Sequence, residues 1–150
     1  MARSSTTIKH AIDGLEAPTF EQTAFTTPPP LAEATVAILT SASLRHPEQP
    51  DFSPMDTSFR HLDPNRRDYL FGHWSQDVDH TGFGIDHNVV FPIDRLQEMA
   101  ADGTIGAVAD VHLAYAGNQF DVAGIRMDSG PEGAGVLKEA GVDVILLTPV

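Results

Sequence analysis

The stretch from His73 to Asn88, HWSQDVDHTGFGIDHN, carries His73, His80 and His87 at equal seven-residue steps among Asp77, Asp79 and Asp86. Imidazole titrates near neutral pH, and a neighbouring carboxylate raises its pKa and fixes its tautomer. Asp79 beside His80, and Asp77 two residues earlier, are placed to do that. The stretch suits acid/base work or the holding of a substrate carboxylate, so His73, Asp79 and His80 are its candidate catalytic residues. Asp77 and Thr81 are candidate substrate contacts. Neutral imidazoles with a carboxylate also suit zinc or iron, although no helical H-x-x-x-H pair is present. A third reading is a polar loop whose side chains bond their own backbone. A helix would align residues seven apart. Gly82 and Gly84 argue against one, which makes the equal spacing a coincidence.

Elements on either side must position these residues. ATVAILTSA, Ala34 to Ala42, is a nearly continuous apolar run with β-branched residues, as in a strand buried on both faces of a parallel sheet. RHPEQPDFSP is loop. LDPNRRDYLFGHW opens with Asp63 as N-cap and Pro64 at the first helical position, which predicts a short helix. NVVFPIDRLQEMAADG reads as a short strand and then a helix from about Pro92, ended by Gly103. TIGAVADVHLAYAG is a second strand-like segment. In DSGPEGAGVLKEAG, Ser129, Pro131 and Glu132 form a capping-box pattern before a helix. VDVILLTPV is the next strand, expected to be buried.

Strands alternating with helices predict an α/β fold: a three-layer, mostly parallel sheet with flanking helices, Rossmann- or flavodoxin-like. In open sheets of this kind the ligand crevice lies outside the carboxyl ends of the strands. That makes Ser41, His112 and Thr148 candidate substrate contacts, while His112 equally fits a satisfied core histidine. Residues 1–30 are polar, end in TTPPP and read as a flexible or arm-like segment; residues 31–150 form the domain. The final strand lacks a covering helix, so the domain is expected to be C-terminally incomplete.

The 150 residues carry a formal net charge of -12 and a pI near 4.7. Nucleic-acid binding needs a basic face and is excluded on that ground. There is no cysteine, hence no disulfide, thiolate metal site or cysteine nucleophile within these residues. No apolar run is long enough for a signal peptide or a membrane span, and the expected location is cytoplasmic.

RHLDPNRRDYLFGHWSQDVDHTGFGIDHNVVFPIDRLQEMAADGTIGAVADVHLAYAG, followed by GPEGAGVLKEAGVDVILLTPV, resembles the glycine/sarcosine/betaine/D-proline reductase family. The nearest branch is the selenoprotein B-like proteins related to the selenocysteine subunit of D-proline reductase. DHT, NVVFPIDRL, G-x-IG-x-VAD-x-H and LK-x-x-GVDV-x-LLTP stand in family order, and the resemblance covers roughly Ala34 to Val150. It implies reductive cleavage of a bond at the α-carbon of a small amino acid or amine. Selenolate or thiolate attacks, on the logic that makes thiolate the reactive form of cysteine, and a dithiol restores it. No cofactor is implied on this chain; a pyruvoyl group is expected on a partner subunit, and the chain is expected to form a homo- or hetero-oligomer.

In the family, a selenocysteine or cysteine comes just after the strand ending in LLTP, and this chain has neither. The expectation is truncation just before that residue, either by a UGA codon taken as stop or by trimming. Two alternatives stay open: a non-catalytic α/β binding or scaffold domain lacking the redox nucleophile, and a metal-dependent lyase or hydrolase built on the His73–His87 region.

Overall fold

The apolar run at Ala34 becomes the strand that every neighbour joins. In a computed structural model describing residues 19, 21, 25–75, 78 and 80–150, β1 (Thr35–Thr40) is paired along both edges. One edge pairs in parallel with β5 (Ala107–Val108) at Thr35 and Val36, and then with β6 (His112–Tyr115) at Leu39 and Thr40. The other edge pairs in parallel with β7 (Val144–Thr148) from Val36 to Thr40. β3 (Phe59–Leu62) runs antiparallel to β6 and makes the sheet mixed but mostly parallel. A separate two-stranded ribbon joins β2 (Leu44–Arg45) to β4 (Leu70–Phe71). This is an α/β fold.

Side chains alternate across β1, and each face has its own cluster. Val36 and Ile38 pack with Phe91, Ile93 and Leu96, the last two from helix α2 (Ile93–Ala101). Ala37 packs with Leu113, Tyr115 and Leu137 of helix α3 (Gly130–Glu139), with Leu39 against them. Gly103 (φ +79°) and Gly141 (φ +72°) take left-handed backbone just after α2 and α3, where a side chain would be strained.

β5 and β6 are one strand interrupted at residues 109–111. At the break, Ile38 N–H finds no carbonyl but donates to His112 Nδ1 at 2.8 Å. A fully buried imidazole thus supplies the acceptor that the ladder lacks.

Several expectations are corrected. Residues 63–75 form no helix. Asp63 accepts from Asn65 N–H for a single turn, and the chain then extends so that β4 reaches β2. Arg66 pairs with Glu48 and Asp68, and Arg67 with Asp94, across the segment. The expected strand at Asn88 is a 3-10 turn, His87–Val89, because Asp86 caps Asn88 N–H while the Asn88 amide bridges Asp86 and Asp94. Gly82 and Gly84 do sit in a helix, α1 (His80–Ile85), but it is only six residues long.

The capping box at Ser129 does not form. Its hydroxyl donates to the Thr57 carbonyl, and a π-helical turn, Ile125–Ser129, carries the helix backwards past it. Finally, β7 is not buried. It lies on the sheet's outer edge with Leu147 65% exposed. Most of the arm-like segment, residues 1–30, falls outside the described residues.

Candidate functional site

The carboxyl ends of β1, β6 and β7 converge where the chain leaves β4. Gly72 N–H donates to the Ser43 carbonyl at 3.0 Å, which draws His73 over the end of β1. Gly117, just past β6, lies against it. A Cβ on Gly117 would stand 2.6 Å from His73 Nε2, 2.7 Å from the Ser41 carbonyl oxygen and 3.1 Å from that of Val150. Only a glycine lets these three polar atoms close around that point.

His73 is 4% exposed. Ser75 N–H donates to its Nδ1 at 3.3 Å, so the proton of the neutral ring belongs on Nε2, a nitrogen with no partner among the described residues. Burial lowers the pKa of His73, and the charge of His80 lowers it further. The ring stays neutral at ordinary pH and points an N–H donor into the cradle.

His80, the first residue of α1, is exposed and meets Phe71 edge-on at 4.7 Å, while His73 stacks against Phe71 at 6.1 Å. One phenyl ring therefore carries both imidazoles. Phe83 of α1 stacks on it as well, at 4.8 Å, and holds α1 to β4.

Ser41 and Thr148 also come to this end of the sheet. Ser41 Oγ accepts from Val150 N–H at 2.9 Å, and Ser41 N–H donates to the Thr148 carbonyl at 3.3 Å. The Thr148 hydroxyl is engaged by the Val90 carbonyl at 2.8 Å. Thr81 is exposed beside His80 on α1. His112 stands apart in the sheet interior, at the break between β5 and β6. Asp77 and Asp79 lie outside the described residues. His73, His80 and His87 do not share a helical face: the first follows β4, the second opens α1 and the third sits in the 3-10 turn. Among the described residues no three His, Cys, Asp or Glu side chains gather to hold a metal ion.

Sequence reasoning missed Gly117 and Ser43. Gly117 leaves a faint signal as a glycine directly after a strand. Ser43 leaves none, yet it is fully buried, holds a left-handed φ of 55° and has a hydroxyl without a partner among the described residues. Such strain in a non-glycine residue collects at functional sites. Trp74 Nε1 and Gln119 Oε1 are likewise buried atoms without a partner among the described residues. With His73 and Ser43, they put four such atoms on the segments that leave β1, β4 and β6.

The described residues contain no helix long and apolar enough to cross a membrane. Residues 13–150 match the family described as glycine/sarcosine/betaine reductase selenoprotein B. The match begins ahead of Ala34 and takes in part of the N-terminal segment. D-proline reductase subunit gamma of Acetoanaerobium sticklandii is 34% identical over 133 residues, covering 81% of this chain and 54% of that protein. Glycine reductase complex component B subunit gamma of Carboxydothermus hydrogenoformans is 41% identical over 63 residues, 42% of this chain and 14% of that protein. The chain thus spans about half the length of the first relative and a smaller share of the second. No solved structure matches it. With a family match that runs through β1 to β7, the chain belongs to the glycine/sarcosine/betaine reductase selenoprotein B family.

Proposed function

We propose that the chain is part of a selenol- or thiol-dependent reductase subunit that cleaves a bond at the α-carbon of a small amino acid or amine, with glycine and D-proline as first candidates. The fold in this reading is a three-layer, Rossmann- or flavodoxin-like sheet whose carboxyl end is the substrate site. The observation that carries it is His73 Nε2, a buried N–H donor without a partner among the described residues, set beside Gly117 and the Ser41 carbonyl at that end.

A neutral imidazole whose Nδ1 already accepts a bond is a poor proton carrier and a good fixed donor. His73 therefore holds an acceptor of the substrate, such as its carboxylate. His80, exposed at the start of α1, exchanges the proton that cleavage requires, and Asp79 orients it. Ser41, Asp77, Thr81 and Thr148 remain candidate substrate contacts, with Ser41 and Thr148 shaping the floor, while His112, fully buried with its Nδ1 taken by Ile38 N–H, serves the sheet instead. The pyruvoyl group that activates the amine belongs to a partner subunit in this reading; the residues of this chain bind, orient and exchange a proton.

The test is steady-state kinetics of the assembled reductase with a dithiol donor. His73→Leu removes a hydrogen bond to a charged acceptor and should raise KM about 10- to 100-fold. His73→Gln keeps an N–H near the Nε2 position and should restore much of that loss. His80→Ala should lower kcat by roughly 100-fold or more with KM little changed. Wild-type kinetics in both His73→Leu and His80→Ala would sink the reading. Because burial lowers the His73 pKa, the ring stays neutral as pH falls through 6.5, and the binding it provides should show no titration there.

A further inference from the structure

A second feature shares a wall with this site. Between α3 and the carboxyl end of the sheet lies an open cleft of about 300 Å³. Leu39, Ala116, Ala134, Leu137 and Ile145 line it, and Ser41 stands at the edge it shares with the His73 cradle. Among the described residues its walls hold no charged side chain. The hydroxyl of Tyr115, which also borders it, is already engaged by the Ser129 carbonyl at 2.8 Å. The volume is at the lower end of the range for small-molecule sites.

Close packing does not explain the opening. α3 approaches the sheet tightly at Gly133, where a Cβ would stand 2.6 Å from Tyr115 Oη. One residue on, Ala134 is exposed and leaves the cleft open. The π-helical turn Ile125–Ser129 forms the far wall through Ile125, and such turns recur at functional sites.

Resting on the reading above, we propose that this cleft takes the hydrocarbon body of the substrate while His73 holds its polar head. The substrate class is then a small amino acid or amine bearing a compact saturated ring or chain, and bare glycine is the poorer fit. Ala134 sets the selectivity. A larger residue there fills the cleft without entering the core.

The test has two readouts. Cyclopentanecarboxylate, which has the ring and the carboxylate but no amine to react, is titrated into the full chain alongside acetate, which has no ring. The ring compound should bind at least tenfold more tightly than acetate. Ala134→Phe should weaken its binding at least tenfold with the melting temperature kept, and Ile145→Phe from the opposite wall should act the same way. In the assembled reductase, Ala134→Phe should lower the ratio of kcat/KM for D-proline to that for glycine at least tenfold.

Equal affinity for the two carboxylates overturns the proposal. So does binding indifferent to both variants, or binding lost on assembly, which would make the face a subunit contact. An assembly that reduces neither substrate while the chain still binds the ring compound refutes the proposed activity and leaves the cleft assigned.

Discussion

At the scale of single residues, the candidate site depends on two side chains and on the absence of a third. His73 supplies the donor, Phe71 carries its ring and that of His80, and Gly117 leaves room for both. Gly117→Ala places a methyl group 2.6 Å from His73 Nε2 and 2.7 Å from the Ser41 carbonyl oxygen, so the imidazole or β1 must move. We expect a loss of roughly 1–3 kcal/mol in stability and a rise in KM resembling that of His73→Leu; thermal melts and kinetics on one preparation check both. His73 and His80 stood out as candidates from residue type and clustering alone. Gly117 did not, because its importance comes from a strand, a loop and the residues after β7 meeting in space. The orientation of His73 was not legible: which nitrogen lacks a partner among the described residues follows from the Ser75 amide, and no spacing rule shows that.

At the scale of elements, the apolar runs announced β1 and β6, and periodicity with Gly103 announced α2. The runs VDVILLTPV and GPEGAGVLKEAG announced β7 and α3 in the same way, and local side-chain chemistry overrode the pattern at two other places. The helix expected after Asp63 yields to ion pairs that reach Glu48 and Asp94, both distant in sequence. The strand expected at Asn88 yields to an Asp–Asn–Asp network.

The seam between β1 and β6 gives the prediction proper to this scale. Burial holds the His112 pKa down to about 4, with the Ala109 carbonyl and Asp110 and Asp63 pulling weakly the other way. In the unfolded chain its pKa is the ordinary value near 6.5. The unfolded state therefore binds the extra proton first. Stability from this group is complete above pH 6.5, declines as pH falls towards 4 and is lost below that. The size of the effect is roughly 3 kcal/mol at most. His112→Asn keeps an acceptor near the Nδ1 position but does not titrate. Urea unfolding between pH 7 and 4.5 should show a shallower pH dependence in this variant than in the wild type, and identical slopes would contradict the assignment.

At the scale of the molecule, the sheet is well covered at β1 and bare at β7. Ile145, Leu146 and Leu147 are all substantially exposed on an edge strand whose outer hydrogen-bonding side has no partner among the described residues. Exposed apolar edges of this kind recruit another chain. We expect the protein to associate with rising concentration in sedimentation velocity runs, and Leu147→Lys to shift it towards the monomer without lowering the melting temperature. A monomer at all concentrations would count against the edge as a contact. The mostly parallel sheet was foreseeable from strands alternating with helices. The exposure of VILLT was not, since an apolar strand reads the same at the centre of a sheet and at its edge.

The centrality of β1 also has a consequence in time. Its sheet partners, β5, β6 and β7, are all made after Gly106, whereas β1 itself is complete at Thr40. During synthesis the central strand of the sheet leaves the ribosome long before its partners exist to pair with it. Parallel pairings of this span close slowly and remain open to wrong partners meanwhile. Expression at lower temperature or with a holding chaperone should raise the soluble yield, because the strand that organises the sheet is the first to be made and among the last to be satisfied.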